Sequence, residues 1–394
     1  MGNASERART LRRLIRVAPL AALVVAVNAL GDPARVVSRG AYERAVADIL
    51  LSGRHAAGVS NYDERLVQRL YAEGLQAAPD VLVLGSSRVM PLRAGDFAPR
   101  SFYNASVSSA TLHDVLALHE LFASRGGGLS LLVVGIDPWM LQPNEKMVGW
   151  HTLAAEYERA CLKAGLPECD QAPLLAGSRR LLNALVSPSY FQASSAAFWR
   201  RFAGGGAVAQ PLTAVSDDGA APQQAVRRAD GSLRYAQAFG QDQEQVRAAA
   251  RDYGRDFERG RIVFLPPSAR PQPRFLQLLE AFLRMTRSAG TEVWLVLAPY
   301  HPDAWSALSA DGSMIVQAED AVRGLGAALR LRVLGSFDPR RAGCPEAAEY
   351  NDPVHARESC LERLIAPPPP PSVLTGYFSS LFRSMSIHRA NRML

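Results

Sequence analysis

The chain has 394 residues, of which 48% are apolar and 21% are charged, so it can bury a large core. This composition excludes a disordered chain, a collagen and a small disulfide scaffold. The formal net charge is +7, and the five arginines and one glutamate of residues 1–16, together with the three arginines of residues 367–394, account for all of it. The body between these ends is neutral, which argues against a nucleic acid as a partner.

The basic N-terminal end runs directly into an uncharged apolar stretch, Val17 to Leu30. A basic region followed by an apolar run is typical of an export signal. With 14 residues the stretch is shorter than the roughly 20 of a spanning helix, so two interpretations of residues 1–31 stay open. They are either a signal peptide cleaved near residues 27–29, or an uncleaved anchor whose arginines lie on the cytoplasmic side. Both place the rest of the chain outside the cytoplasm.

Apolar runs of strand length alternate with helical periodicity in two parts of the chain, residues 32–140 and residues 266–366. In chain order the predicted elements are a strand at 81–84, a helix at 111–124, a strand at 131–136, a helix at 273–286, a strand at 292–298, a helix at 318–329 and a strand at 331–334. Buried strands that alternate with helices predict an α/β core with a parallel central sheet. In such a sheet ligands bind at the carboxyl ends of the strands.

Residues 141–265 interrupt this alternation. They are rich in Ala, Gln, Gly and Arg, and clusters such as Gly204-Gly205-Gly206 are typical of loops. We expect this segment to be an inserted cap region that covers the site. Five consecutive prolines open residues 367–394 and predict a stiff spacer followed by a tail.

The four cysteines fall in two close pairs, Cys161 with Cys169 and Cys344 with Cys360. Their spacings match no zinc-ligand pattern, so no metal site is expected. An even number of cysteines in an exported chain favours two local disulfides, and free buried thiols are the alternative.

Polar residues that can carry chemistry stand at the ends of the predicted elements. Ser87 follows the first predicted strand in the turn Gly85-Ser86-Ser87-Arg88, where a serine can expose its hydroxyl above the sheet. Asp352 stands three residues before His355 near the end of the fold, a spacing that lets the carboxylate orient the imidazole. The other ring nitrogen is then available to take a proton from a serine.

The Gly85-Ser86-Ser87 turn, the stretch from Asn104 to Thr111, and the pair Asp352 and His355 together resemble the sequence blocks of the SGNH/GDSL hydrolases. The flanking stretches Asn61 to Arg65 and Gly335 to Pro339 resemble a membrane-anchored branch of this superfamily in the bacterial cell envelope. This resemblance implies a three-layer flavodoxin-like SGNH fold. It also implies a serine enzyme without cofactor, in which Ser87 attacks an ester, His355 is first base and then acid, and Asp352 orients His355.

Two positions depart from the family pattern. Ser109 stands where the family has a glycine whose N–H helps to bind the oxyanion, and a serine retains that N–H. Asp137 stands where the family has an asparagine that donates to the oxyanion, and a carboxylate cannot donate. Either Asp137 turns away toward Arg88, or another group such as Asn104 completes the hole. His301 follows a later predicted strand and is either a pocket-lining residue or an exposed part of a rigid loop.

The resemblance therefore implies an exported esterase or O-acyltransferase of the cell envelope, held at the inner membrane by its N-terminal segment, with its body in the periplasm or outside the cell. The expected substrate is an acylated glycan, most simply an acetyl ester, or another ester. Whether the acyl group passes to water or to a sugar hydroxyl is left open. The alternative is a non-catalytic SGNH-shaped binding or scaffold protein that assists a membrane acyltransferase as its partner.

Overall fold

The computed structural model describes residues 40–144, 146–166, 169–170 and 212–366, with residues 18–19, 21–30, 185, 191–192 and 194–195 in addition. Residues 21–30 are helical, and none of the helices within these ranges is both long and apolar enough to cross a membrane. The predicted basic end at 1–16, the glycine cluster at 204–206 and the tail at 367–394 lie outside the described residues. The chain divides into two units, Met1–Leu364 and Ile365–Leu394, and the site lies in the first.

The central sheet is parallel and has five strands. In chain order the strands of the described residues are β1 His55–Ala57, β2 Val81–Leu84, β3 Phe102–Asn104, β4 Leu131–Gly135, β5 Thr213–Val215, β6 Val226–Arg227, β7 Leu233–Arg234, β8 Glu292–Leu297 and β9 Arg332–Gly335. The central sheet has the order β3-β2-β4-β8-β9. Numbered along the chain, this is 2-1-3-4-5, which is compatible with a flavodoxin-like fold. The predicted α/β architecture with a parallel central sheet is confirmed. Hydrophobic periodicity did not predict β3, because its three residues carry no apolar run.

Helices cover the sheet and bury its apolar strands. Besides helical stretches such as residues 21–30, the numbered α-helices of the described residues are, in chain order, α1 Ala41–Leu51, α2 Glu64–Gly74, α3 Leu112–Ala123, α4 Ala154–Lys163, α5 Gln243–Glu258, α6 Pro273–Ser288, α7 Pro302–Leu308, α8 Met314–Leu329 and α9 Glu358–Ile365. The three predicted helices are present as α3, α6 and α8. Helix α3 is buried along almost its whole length because α2, α4 and α6 pack against it. At the sheet centre Leu132 pairs in register with Leu82 and Val293, and all three side chains are buried.

A second, antiparallel sheet joins two parts of the chain that the sequence assigned to different regions. Its order is β5-β1-β6-β7, so β1, from the predicted core segment, pairs with β5 and β6 of the cap. Two helices of the cap pack on helices of the core segments: α4 packs on α3, and α5 packs on α7. The described part of the cap is therefore in direct contact with the core segments through β1, α3 and α7.

The two cysteine pairs differ. Cys344 and Cys360 form a disulfide, as predicted for this pair. Cys161 and Cys169 are free thiols, so the second local disulfide is not formed and the alternative interpretation applies there. Burial raises the pKa of Cys161 to about 12, and a hydrogen bond with Cys169 adds to the rise. The bonded pair brackets Asp352 and His355 and closes the loop that carries them.

Candidate active site

The turn after β2 exposes a single serine. Gly85 has φ +152°, and a Cβ there would lie 2.7 Å from Cγ2 of Val89 and 3.0 Å from the carbonyl oxygen of Gly135. A glycine therefore lets the turn pass close to the end of β4. Ser86 is buried, and its Oγ accepts from the N–H of Arg88 at 3.2 Å. Ser87 is the one residue of 81–92 that is not buried, so its hydroxyl faces the edge where the strands end.

Ser87, His355 and Asp352 form a chain of side-chain hydrogen bonds. Nε2 of His355 lies 2.8 Å from Oγ of Ser87, and Nδ1 lies 2.6 Å from Oδ2 of Asp352. The N–H groups of Val354 and His355 both donate to Oδ1 of Asp352 at 2.8 Å. Burial disfavours this carboxylate, but the hydrogen bonds from His355 and the backbone outweigh it and hold the pKa of Asp352 below its usual range. An ionised Asp352 therefore orients the ring so that Nε2 can take the Ser87 proton.

Arg88 connects the elements that carry these three residues. It is buried, and its guanidinium donates to Oδ1 of Asp137 at 2.8 Å and to the carbonyl of Val354 at 3.1 Å. It also donates to the carbonyl of Ala298 and lies 4.0 Å above the ring of Tyr300. One side chain thus fixes the ends of β2, β4 and β8 relative to the loop that holds His355.

Asp137 faces Arg88, which is the first of the two alternatives that the sequence left open. The ion pair is dry, with side-chain exposures of 1% for Arg88 and 4% for Asp137. Burial raises the pKa of the Asp137 carboxyl, while the charge of Arg88 and a hydrogen bond from Ser86 oppose the rise. Because its oxygens are used by these partners, Asp137 is a support for the turn that carries Ser87.

Two backbone N–H groups remain as candidate oxyanion donors. Ser109 has φ +51°, the left-handed conformation that glycine adopts readily. The N–H groups of Ser87 and Ser109 make no hydrogen bond with any other described residue. Asn104 has a different place: its amide nitrogen donates to the carbonyls of Val89, Met90 and Leu92 at 2.9–3.2 Å. We therefore assign Asn104 to holding this loop and leave it out of the proposed oxyanion hole.

His301 is fully buried, so it neither lines an open pocket nor lies exposed on a loop. Its Nδ1 accepts from the N–H of Asp303 at 3.0 Å and caps α7, and its own N–H donates to the carbonyl of Pro353 at 3.0 Å. Burial lowers the pKa of His301, so the ring is neutral. The residue supports the loop beside Asp352 from within.

Two aromatic residues of the cap reach the site, and the sequence did not single them out. The hydroxyl of Tyr235 donates to the carbonyl of Ser87 at 3.2 Å, and its ring centroid lies 5.6 Å from that of His355. Phe239 lies 6.5 Å from the same ring. Burial raises the pKa of Tyr235, so its hydroxyl keeps the proton that it donates. The available signal was compositional, since these are the two aromatic residues of 212–242.

Comparison with protein-family models, with curated proteins and with solved structures found no match. Across the described residues no group of three or more His, Cys, Asp or Glu side chains is placed to hold a metal ion. The site joins a serine hydroxyl, an imidazole and a carboxylate by successive hydrogen bonds at the end of a strand. This arrangement suits nucleophilic attack on a carbonyl carbon.

Proposed function

We propose that the protein is an SGNH-type serine esterase or O-acyltransferase that acts on acyl esters, most simply acetyl esters of cell-envelope glycans. The observation that carries this proposal is the 2.8 Å separation of Ser87 Oγ and His355 Nε2, with Asp352 bound to the other ring nitrogen at 2.6 Å. These distances lie within the range that proton transfer from a nucleophile to a general base requires.

In the proposed reaction Ser87 Oγ attacks the ester carbonyl carbon as His355 takes the serine proton. The N–H groups of Ser87 and Ser109 stabilise the tetrahedral oxyanion. The bond from the carbonyl carbon to the alcohol oxygen then breaks, and His355 gives its proton to that oxygen, which leaves an acyl group on Ser87. Water or a second hydroxyl then attacks the acyl carbon as His355 takes its proton. The bond from the acyl carbon to Ser87 Oγ breaks, and His355 returns the proton to Ser87, which releases or transfers the acyl group.

The surroundings of the site support the same proposal. The strand order 2-1-3-4-5 suits a three-layer flavodoxin-like fold. Ser87 follows β2 next to β4, and between these two strands the strand order reverses, which is where such sheets bind ligands. The basic and apolar N-terminal pattern supports an exported protein held at the inner membrane, with its body in the periplasm or outside the cell. The disulfide that closes the His355 loop suits an oxidising compartment.

A fluorophosphonate probe tests the proposal, because it reacts with activated serines. The full-length wild-type protein is expected to be labelled, while Ser87→Ala and His355→Ala are expected to lose labelling and remain folded by circular dichroism. Ser130→Ala is a matched control, since this exposed serine precedes β4 at the opposite end of the sheet. Its labelling should equal that of the wild type.

The proposal is contradicted if the folded wild-type protein is not labelled and also releases no acetate from small activated acetyl esters. Labelling that persists in Ser87→Ala would place the reactive serine elsewhere. Acetate release compared with acetyl transfer to added sugars then separates an esterase from a transferase.

A further inference from the structure

A cleft of ≈ 620 Å³ lies between the cap and the loop around His355, and two of its lining residues, Tyr235 and Phe239, also lie next to the His355 ring. Its volume is within the range of small-molecule sites, roughly 300–1,000 Å³. The side chains that give the cleft its aromatic and polar character are those of Tyr235, Gln237, Phe239, Gln241, Asn351 and Arg357.

The cap segment is held firmly against this loop. Gly240 has φ +73°, and a Cβ there would lie 2.4 Å from Cα of Asn351, so the two backbones are in direct contact. Arg357 donates to the carbonyl of Gly240 at 2.8 Å. Tyr235 anchors the other end of the segment through the carbonyl of Ser87. The wall of the cleft is therefore fixed to the turn that carries Ser87 and to the loop around His355.

The chemistry of ester cleavage decides which part of a substrate lies in this cleft. His355 has to protonate the alcohol oxygen as it leaves, so the alcohol part of the ester lies next to the His355 ring. The carbonyl oxygen points toward the N–H groups of Ser87 and Ser109 instead. Tyr235 and Phe239 lie next to the imidazole and also line the cleft, so the cleft shares two residues with the His355 side of the site.

The lining favours a ring that carries several hydroxyl groups. Phe239 is 38% exposed and lines the cleft with an aromatic side chain. Within the part of the chain that the structure describes, the side-chain amides of Gln237, Gln241 and Asn351 make no hydrogen bond. Nε of Arg357 is buried and likewise has no partner among the described residues. An alkyl chain would displace water from these amides without offering hydrogen bonds in return, whereas a sugar offers both a stacking face and hydroxyls.

We infer that this cleft is the subsite for a sugar ring that carries the ester, and that Phe239 is its stacking platform. The inference rests on the proposed function, and it assigns the cleft to the alcohol side of the bond. The acyl group lies on the other side of Ser87. Phe239 is then a specificity-determining residue supplied by the cap.

The test compares alcohols at constant acyl group in the full-length protein. Acetate release or transfer is measured with ethyl acetate and with the monoacetates of methyl glucoside, methyl mannoside and methyl galactoside. The wild-type protein is expected to favour at least one glycoside. Phe239→Leu keeps apolar volume but removes the aromatic face, and we expect it to lower kcat/KM for that glycoside about tenfold more than kcat/KM for ethyl acetate, mainly through KM. Phe239→Trp is expected to retain the preference.

Leu162→Ala is the control for loss of an exposed apolar side chain, because Leu162 is 70% exposed on α4 and does not line the cleft. A wild-type protein that cleaves ethyl acetate as well as every glycoside would overturn the inference. So would an equal loss on both alcohols in Phe239→Leu, or a Phe239 effect that follows acyl length when acetyl and butyryl esters are compared. Absence of fluorophosphonate labelling and of all ester cleavage would instead refute the proposed function, and the subsite with it.

Discussion

Arg88→Met removes the cation that holds Asp137 and, through Val354, the loop of His355. The substitution leaves a carboxylate that is 4% exposed without its counter-ion, and it takes donors from the carbonyls of Val354 and Ala298. Methionine has a similar length and no charge, so it fills most of the space above the Tyr300 ring. The perturbation is therefore electrostatic rather than a cavity.

The expected cost of Arg88→Met is about 3–5 kcal/mol in the free energy of unfolding, because removing one partner leaves an uncompensated buried charge. The double variant Arg88→Met/Asp137→Asn removes both charges and keeps an acceptor for the Ser86 hydroxyl. We expect it to be about 2 kcal/mol more stable than Arg88→Met alone. The carbonyl of Val354 still lacks its donor, so the labelling rate of Ser87 should stay at least about tenfold below that of the wild type.

Urea unfolding of the wild type, the two single variants and the double variant gives the coupling energy, and fluorophosphonate labelling of the folded proteins gives the reactivity. We expect the double variant to regain part of the unfolding free energy that Arg88→Met loses, but not the labelling rate of Ser87. This result is expected because Arg88 both balances the charge of Asp137 and positions the loop of His355. A direct ion pair between Arg88 and Asp137 is contradicted if the losses in unfolding free energy of the two single variants sum, within about 0.5 kcal/mol, to the loss of the double variant. A separate positioning role for Arg88 is ruled out if reactivity recovers together with stability, because Arg88 would then act on the site through Asp137 alone.

Three further outcomes are expected from the loop of His355 and its surroundings. Cys344→Ser removes a link across 16 residues and should cost about 3 kcal/mol in the free energy of unfolding, a loss that reductant reproduces in the wild type. Cys161→Ser removes a free thiol and keeps the link, so it should lose stability in reductant as the wild type does, whereas Cys344→Ser should not respond to reductant. Equal responses of the two variants to reductant would argue against the link. Gly240→Ala should lose more than about 1 kcal/mol and label more slowly, while Gly260→Ala, at a similar positive φ with open space around it, should label at the wild-type rate; equal labelling would show that the cap contact does not matter. The pKa of Asp352 is lowered by folding, so its contribution to stability is present above the ordinary Asp pKa and is lost as the pH falls through the lowered value. Lowering the pH from about 7 to about 3 should therefore reduce the free energy of unfolding of the wild type more than that of Asp352→Asn. Parallel curves of unfolding free energy against pH would contradict this.

Local order along the chain was sufficient for several features. Buried strands such as Val81–Leu84 and amphipathic helices such as Pro273–Ser288 follow from side-chain periodicity, which each segment expresses without its neighbours. The contact between Asp352 and His355 was also predictable, because residues three apart on one turn meet whatever the rest of the chain does. The position of Ser87 was predictable from local sequence too, because a serine in a glycine-containing turn after a buried strand can expose its hydroxyl at the carboxyl end of the sheet.

Only the tertiary structure decided which distant groups meet. Asp137 was a candidate oxyanion residue until the fold placed Arg88, 49 residues earlier in the chain, against it in a dry pocket. Ser87 and His355 are 268 residues apart, and Tyr235 is 148 residues from Ser87. Such pairings depend on strand order and on how the cap folds back, neither of which leaves a periodic signal. The burial of His301 arises in the same way, because its environment is built by a loop about 50 residues further along.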